Sequence, residues 1–203
     1  SAGDGALPNW SFSAVVDGGE VYIEVSRQGG KVSELMNSRP VGEANLTAEE
    51  GVEAARTFLA EQGYGEMEPS YYINQNNILT VNFAARQGDV LCYPDLIKVA
   101  VALDNGSIVG FEADGYLMNH TARGSLTPAL TAEAAQESVS PLLHVKQSKL
   151  CVIPSDGLNE TLCWEYACET ADGSQILVYI NAQTGMEEQI LLLLIGEYGQ
   201  LTV

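Results

Sequence analysis

Histidines are the first residues to consider as catalytic bases, and the sequence has two, His120 and His144. A Ser or Cys nucleophile needs such a base within hydrogen-bond reach. His144 follows a predicted helix beside two leucines, which is typical of a surface or core-edge residue. His120 ends the segment Met118-Asn119-His120, where a structural hydrogen bond is the expected role and a binding contact is the alternative. The residues therefore predict no nucleophilic active site.

Carboxylate pairs are the second candidate for chemistry, because glycoside hydrolysis uses two carboxyl groups about 5–10 Å apart. Three pairs stand close in the sequence, namely Glu49 with Glu50, Glu66 with Glu68, and Glu187 with Glu188. Adjacent residues of a helix or strand point apart, so we interpret these pairs as parts of solvated faces. Gly29-Gly30-Lys31 is not a phosphate-binding loop, because the remaining spacing is wrong and a strand follows it. No catalytic or cofactor-binding residue is predicted.

The four cysteines are Cys92, Cys151, Cys163 and Cys168, and the sequence has no Cys-x-x-Cys motif. Cys163 and Cys168 are five residues apart, so in one regular strand they face opposite sides and do not pair with each other. Cys151 lies on the predicted partner strand and could approach either. We expect four buried thiols, with a disulfide from Cys151 as the alternative. The histidines stand far from any paired ligand spacing, so no metal site is predicted.

The net charge limits the partners of the chain. Its 203 residues include 27 acidic and 9 basic side chains, a net charge of −18. This balance repels nucleic acids and anionic membranes, and it fits either a solvated acidic surface or attraction to a basic protein. No run of about 18 apolar residues is present, so no membrane span is predicted. Because the chain opens at Ser1 without Met, we expect a piece from which a targeting segment has been removed.

Alternating apolar residues separated by turn signals predict mostly strands. These are placed at 10–16, 21–26, 31–36, 71–73, 79–84, 150–153, 162–169, 175–180 and 191–195. Two amphipathic helices interrupt them. The first begins at Thr47, which forms a capping-box pattern with Glu50, and Gly63 closes it. The second follows Thr131, runs to about Ser140 and ends before Pro141.

A β-hairpin is predicted at the centre of the chain, in the segment Tyr93–Met118. Apolar residues two apart, ending at Leu103, share one face of the first strand. Asp104-Asn105-Gly106 then supplies residues that tolerate positive φ, as a tight turn requires. The return strand begins at Ile108, and we expect this group of strands to end at about Leu117.

The order of the elements predicts the organisation of the chain. A helix followed by a four-stranded antiparallel meander occurs twice, and strands without a helix precede the first copy. We therefore predict an α+β fold in tandem modules, with a partial β unit over 1–41, one module over 42–123 and a second over 124–203. The first segment is either a truncated module or an edge added to the first sheet.

Several segments carry a family resemblance. One is short, the turn Asn181-Ala182-Gln183-Thr184-Gly185 after an apolar strand. The longer ones are Asn37-Ser38-Arg39-Pro40-Val41, Met67-Glu68-Pro69-Ser70-Tyr71-Tyr72, the stretches 93–99, 109–113 and 115–120, and Gln189-Ile190-Leu191-Leu192-Leu193. The short turn resembles the PepSY module. Together the segments resemble the C-terminal, tandem-PepSY region of the YpeB family of spore germination proteins over essentially the entire chain. Three cysteines in the last module are not expected of that family.

The resemblance implies PepSY-like modules and a non-enzymatic role in the spore envelope, outside the cytoplasm. The membrane-anchoring N-terminal segment of the family is absent from this stretch, so the resemblance implies no membrane contact by it. YpeB-like proteins are needed for the stability and placement of the cortex-lytic enzyme SleB, and each depends on the other. PepSY modules are linked more broadly to the restraint of hydrolases. The implied partner is thus a SleB-like cortex-lytic hydrolase, and no catalytic residues carry over.

Three functional hypotheses follow. The first is a scaffold or inhibitor that binds a hydrolase through sheet faces or edges, with a PepSY-type protease inhibitor as a variant. The second is a module that binds peptidoglycan, which requires an exposed aromatic groove. Its candidate residues are Trp10, Tyr71, Tyr72, Tyr93 and Tyr116. The third is a hydrolase in its own right, for which the sequence supplies no catalytic set.

Overall fold

The computed structural model describes residues 7–16, 18–155, 159–196 and 199–202. The strands are β1 (Asn9–Val16), β2 (Gly19–Ser26), β3 (Val32–Asn37), β4 (Met67–Gln75), β5 (Ile78–Gln87), β6 (Val90–Ala102), β7 (Ile108–Glu112), β8 (His144–Ser155), β9 (Asn159–Glu169), β10 (Gln175–Asn181), β11 (Glu187–Gly196) and β12 (Gly199–Thr202). The helices are α1 (Ala48–Glu61), α2 (Asp114–Asn119) and α3 (Ala132–Gln136). No described helix is long and apolar enough to cross a membrane. The α+β prediction is confirmed at the level of mostly sheet with few helices.

The chain divides into two compact units. The first takes in residues 1–84 and 95–120, and the second takes in 85–94 and 121–203. In the first unit the strand order is β1-β2-β3-β7-β6-β5-β4. In the second unit the order is β12-β11-β10-β9-β8, with every neighbouring pair antiparallel. The predicted module boundaries after residues 41 and 123 stay a prediction.

Helix α1 begins and ends where the sequence predicts. The Thr47 hydroxyl accepts a hydrogen bond from the Glu50 N–H, and the Glu50 carboxylate accepts one from the Thr47 N–H, which completes the capping box. Gly63, with φ of +73°, reverses the chain after the helix. The helix approaches the first sheet closely at Gly51, where a Cβ atom would lie only 2.7 Å from Leu79 Cδ2.

The end of the central hairpin differs from the prediction. Strand β7 stops at Glu112, and residues 114–119 form α2 instead of extending the strand to about Leu117. The Ala113 N–H donates to the Ser33 carbonyl, and the Leu117 N–H then turns back to the Ala113 carbonyl, each at 2.8 Å. Tyr116 of this helix packs edge-on against Tyr64, with ring centroids 5.1 Å apart. The helical turn is therefore selected by tertiary packing rather than by local pattern.

The second unit forms its core under α3. Ala135 of this helix packs with Tyr166, Val178 and Ile180 of the sheet, and the Tyr166 hydroxyl donates to the Ala132 carbonyl. The α-helix ends at Gln136, earlier than predicted. Tighter bonds spanning three residues carry the chain on to residue 139, because Ser138 and Val139 donate to the carbonyls of residues 135 and 136.

An ion pair joins the β3–α1 connection to the turn of the central hairpin. The Arg39 guanidinium donates to both carboxylate oxygens of Asp104, at 2.9 and 2.7 Å, and also to Asn105 and Ser107. Asp104 accepts a further hydrogen bond from the Gly42 N–H at 2.9 Å. Hydrogen bonds from Arg39 and Gly42 hold the pKa of Asp104 well below its usual range.

We expect Arg39→Lys to lower the melting temperature at neutral pH, because a lysine ammonium cannot make the forked contact of a guanidinium. Because folding lowers the pKa of Asp104, its carboxylate stabilises the folded state at pH values above its ordinary pKa of about 3.8. This stabilisation is lost as pH falls further. The deficit of the variant should therefore shrink in acid. Thermal melts of Arg39→Lys and of the exposed control Arg56→Lys, each at neutral pH and at a pH below 3.8, measure this deficit. Equal deficits in the two variants would contradict the assignment.

Candidate functional site

One row of apolar residues crosses the first sheet from its edge to its centre. Phe12, Ile23, Leu35, Phe111 and Val99 stand opposite one another on β1, β2, β3, β7 and β6. Residues directly opposite in antiparallel strands point to the same face. Their exposure falls along the row, from 57 % at Phe12 to 3 % at Phe111 and 0 % at Val99. The same face is thus open at β1 and closed at the centre.

Aromatic residues of α1 and its C-terminal extension close the central part of this face. The Phe58 ring meets Phe111 edge-on at 5.4 Å, and Tyr64 lies 5.8 Å from the same ring. The Tyr64 hydroxyl donates to the Val32 carbonyl of β3 at 3.2 Å. These contacts reach β3, and the residues of β1 beyond it remain exposed to solvent.

Strand β1 is an edge strand without the usual protection of edges. It stands last in the strand order of the first unit, and within the described residues its paired neighbour is β2. Natural edge strands are commonly guarded by charges, prolines or bulges. The sequence Asn9–Val16 contains no charged residue, no proline and no glycine, and Trp10 and Phe12 are each 57 % exposed.

We call this region the β1 surface. It consists of the residues of β1 and β2 that share the face of Phe12, namely Trp10, Phe12, Ala14, Val16, Val21, Ile23 and Val25. The β2 members are half-buried and the β1 members are exposed. At one end the Arg27 guanidinium lies 4.2 Å from the centroid of the Trp10 ring. An exposed apolar patch of this kind is typical of a protein-docking site.

The opposite face of the same strands carries a row of charges. Glu24, Glu34 and Glu112 stand opposite one another on β2, β3 and β7, and Lys98 of β6 ends the row with a 3.1 Å contact to Glu112. A hydrogen bond from the Tyr22 hydroxyl lowers the pKa of Glu24. Burial and the neighbouring carboxylates raise the pKa of Glu34. The three neighbouring carboxylates therefore repel one another at neutral pH.

His120 makes a structural hydrogen bond, as predicted. Its Nδ1 lies 2.8 Å from Oδ2 of Asp95, a carboxylate with no exposed surface. The imidazole ring stacks on Tyr116 at 4.2 Å, so it secures the end of α2. His144 is exposed at the start of β8, in agreement with its predicted surface position.

The aromatic residues proposed for a peptidoglycan groove differ in environment. Trp10 is exposed, whereas the four tyrosines at 71, 72, 93 and 116 are half-buried. Tyr93 donates to the buried carboxylate of Glu165 at 2.6 Å, and Tyr116 is stacked on His120. Of this set, Trp10 alone is exposed and belongs to the β1 surface.

In two of the carboxylate pairs, one member makes a local hydrogen bond and the other is exposed. Glu50 completes the α1 capping box while Glu49 is exposed beside it. Glu188 accepts a hydrogen bond from the Asn181 side chain at 2.7 Å, and its neighbour Glu187 is exposed. Among the residues that the structure describes, no group of three or more His, Cys, Asp or Glu side chains is placed to hold a metal ion.

All four cysteines are buried, as predicted, and the structure describes each of them as a free thiol. The predictions from the sequence did not include the two most buried acids of the described residues, Asp95 and Glu165, or the carboxylate row across β2, β3 and β7. A signal was present for Asp95, which follows Tyr93-Pro94 inside an apolar strand. The row left no such signal, because its members are brought together only by strand register.

Comparison with a solved structure defines the class of fold. The C-terminal domain of Bacillus megaterium YpeB superimposes with a TM-score of 0.83, covering 95 % of this chain and 86 % of that one, at 24 % sequence identity. The family model described as YpeB sporulation, PepSY1 and PepSY2 domains matches residues 2–125. The chain therefore belongs to the YpeB family of sporulation proteins.

Curated relatives agree with this assignment. The sporulation protein YpeB of Halalkalibacterium halodurans is 34 % identical over 88 % of this chain and 41 % of its own length. The protein of the same name from Oceanobacillus iheyensis is 29 % identical over 93 % of this chain and 42 % of its own length. The chain thus spans about two fifths of the length of the relatives that it matches.

We expect Glu34→Gln to stabilise the protein at neutral pH by about 0.2–1 kcal/mol, the usual scale for a cross-strand charge pair. A raised carboxyl pKa means that stability is lost as pH rises from 4.5 through the higher folded value, and that it is recovered in acid. The gain of the variant should therefore vanish below about pH 4, where Glu34 is protonated in both folded and unfolded states. Urea titrations at both pH values measure the difference.

The exposed Glu66→Gln is the matched control, because it removes the same charge outside the row. A gain at neutral pH that is equal in the two variants would mean that net charge, and not the row, sets the effect.

Proposed function

We propose that this protein is a non-catalytic spore germination protein that binds a SleB-like cortex-lytic hydrolase through the β1 surface. The observation that carries the proposal is the uncharged edge strand β1, with Trp10 and Phe12 exposed in an otherwise strongly acidic chain. Membership of a family of sporulation proteins supports the biological setting. In this proposal the protein acts in the spore envelope, outside the cytoplasm.

Two kinds of contact are available to a partner at this site. The face of Phe12 offers large apolar side chains beside the half-buried β2 residues, as the centres of protein interfaces do. The outer edge of β1 offers backbone N–H and C=O groups to which an extended segment can pair. A hydrolase segment docked there would extend the sheet of the first unit and cover Phe12 and Trp10 together.

Charge supports a basic partner. With a net charge of −18, the chain attracts a basic enzyme over a distance and speeds its encounter. The carboxylate row of Glu24, Glu34 and Glu112 adds to this attraction. We therefore expect binding to weaken as salt concentration rises, through a slower association rate.

The arrangement of elements supports an interpretation as PepSY-like modules. Helix α1 precedes β4–β7 in the chain and α3 precedes β8–β11, so each helix leads a four-stranded group. In this interpretation β1–β3 are the strands of a partial module. Its sheet would offer the open face at which a hydrolase is held, stabilised or restrained.

We expect Phe12→Ser to weaken binding of a purified SleB-like hydrolase by about 5- to 30-fold, or 1–2 kcal/mol, the cost of losing an aromatic interface contact. The folded state should be retained, because Phe12 is exposed. Isothermal titration calorimetry at low and high salt measures affinity, and hydrolysis of cortex fragments is followed alongside. Suppressed hydrolysis would identify restraint, and unchanged hydrolysis would identify a stabilising scaffold.

Val15→Ser is the matched control. Val15 lies on the same strand, is 76 % exposed and points to the opposite face, so its replacement should leave the affinity unchanged. Equal affinity of wild type and Phe12→Ser would remove the β1 surface from the proposal. No binding by the wild type, combined with retention of the chain on purified cortex fragments, would favour the peptidoglycan-binding hypothesis instead.

A further inference from the structure

Two of the four cysteines stand directly opposite each other. In the antiparallel pair of β8 and β9, Cys151 is the register partner of Cys163. Opposed residues of antiparallel strands have Cα atoms about 4.5–5.5 Å apart, and disulfides join residues whose Cα atoms are about 4.4–6.8 Å apart. The register alone therefore places this pair within disulfide range.

The side chains of the pair lie on the same face of the second sheet. Both belong to one buried cluster, together with Leu91, Ile153 and Tyr179. An opposed pair on one face directs its two Cβ atoms toward the same side, as a cross-strand bond requires.

The other two cysteines are differently placed. Cys168 stands opposite Val145 and Ile176 and belongs to the cluster under α3. Cys92 stands beside Val152 and packs with it in a third cluster. The sequence left Cys151 with two possible partners, and the register selects Cys163 over Cys168.

We propose that Cys151 and Cys163 form an intramolecular disulfide when the chain folds in an oxidising environment. A thiolate of the pair attacks a low-molecular-weight disulfide such as oxidised glutathione, releases one glutathione thiol and leaves a mixed disulfide. The second thiolate then displaces the other glutathione. In total the protein dithiol is oxidised to one disulfide, and one glutathione disulfide is reduced to two thiols.

Burial decides when this reaction occurs. Both thiols have no exposed surface in the folded chain, so an external oxidant reaches them before β8 and β9 are packed or when this hairpin opens. Once formed, the bond closes the loop between the two strands and restricts the unfolded chain. The oxidised second unit should then resist unfolding more than the reduced one.

The test refolds the full chain from reducing denaturant into a glutathione buffer with the oxidised form in excess. Free thiols are then blocked with an alkylating reagent under denaturing conditions, because all four cysteines are buried in the folded chain, and the protein is mapped by mass spectrometry. The expected result is a mass lower by two hydrogens before alkylation, alkylation of Cys92 and Cys168 alone, and one cross-linked peptide pair containing Cys151 and Cys163. The oxidised protein should melt at a higher temperature than the same sample after reduction.

Cys168→Ser should form the same bond, whereas Cys163→Ser should form none. Because a buried serine can itself impair folding, Cys163→Ala and Cys151→Val serve as second variants that keep the site apolar. Four alkylated cysteines in the refolded wild type, after denaturation in the alkylating reagent, would overturn the proposal. A cross-link that contains Cys168 or Cys92 would overturn it equally.

Discussion

The forked contact between Arg39 and Asp104 is the constraint on which the first unit depends. It joins the end of the β3 segment to the turn between β6 and β7, and the Gly42 N–H adds a second tie to the same carboxylate. The N–H groups of Asn45 and Leu46 bond to the Leu103 carbonyl beside it. The chain therefore enters α1 at one fixed place over the central hairpin. This starting point therefore determines which residues of the first sheet α1 covers.

The position of α1 explains why the β1 surface is open. A helix with its side chains is about 10–12 Å across, and neighbouring strands are about 4.8 Å apart, so one helix covers about two to three strands of a sheet. Gly51 rests against Leu79 of β5, and Phe58 reaches Phe111 of β7. Tyr64 extends the cover as far as β3. The first unit has seven strands in its order, and β1 is left beyond the reach of these contacts.

Features that depend on residues close together in the sequence could be predicted, and features that depend on residues far apart in the sequence could not. The capping box at Thr47 and the turn at Asp104-Asn105-Gly106 depend on neighbouring residues, and both were predicted. Helix α2 was missed because the contact of Tyr116 with Tyr64 is tertiary. The sequence left Cys151 with Cys163 or Cys168 as a partner, and strand register selects Cys163. The carboxylate row was missed because strand register brings together residues far apart in the sequence, such as Glu34 and Glu112. Their residue types were visible, and their partners were not.

Because side chains alternate between the two faces of a strand, the apolar contact residues and the charged residues of the first sheet lie on different faces. Phe12 and Ile23 point to one face, and the neighbouring residues Ser11 and Glu24 point to the other. Charges act over about 8–10 Å at physiological salt, which is close to the thickness of a sheet layer. The carboxylate row can therefore attract a basic partner without lying in its contact surface. Contact at Phe12 then needs no desolvation of these carboxylates, which would oppose binding. In the proposed complex, affinity and encounter rate would therefore be set by different residues of the same strands.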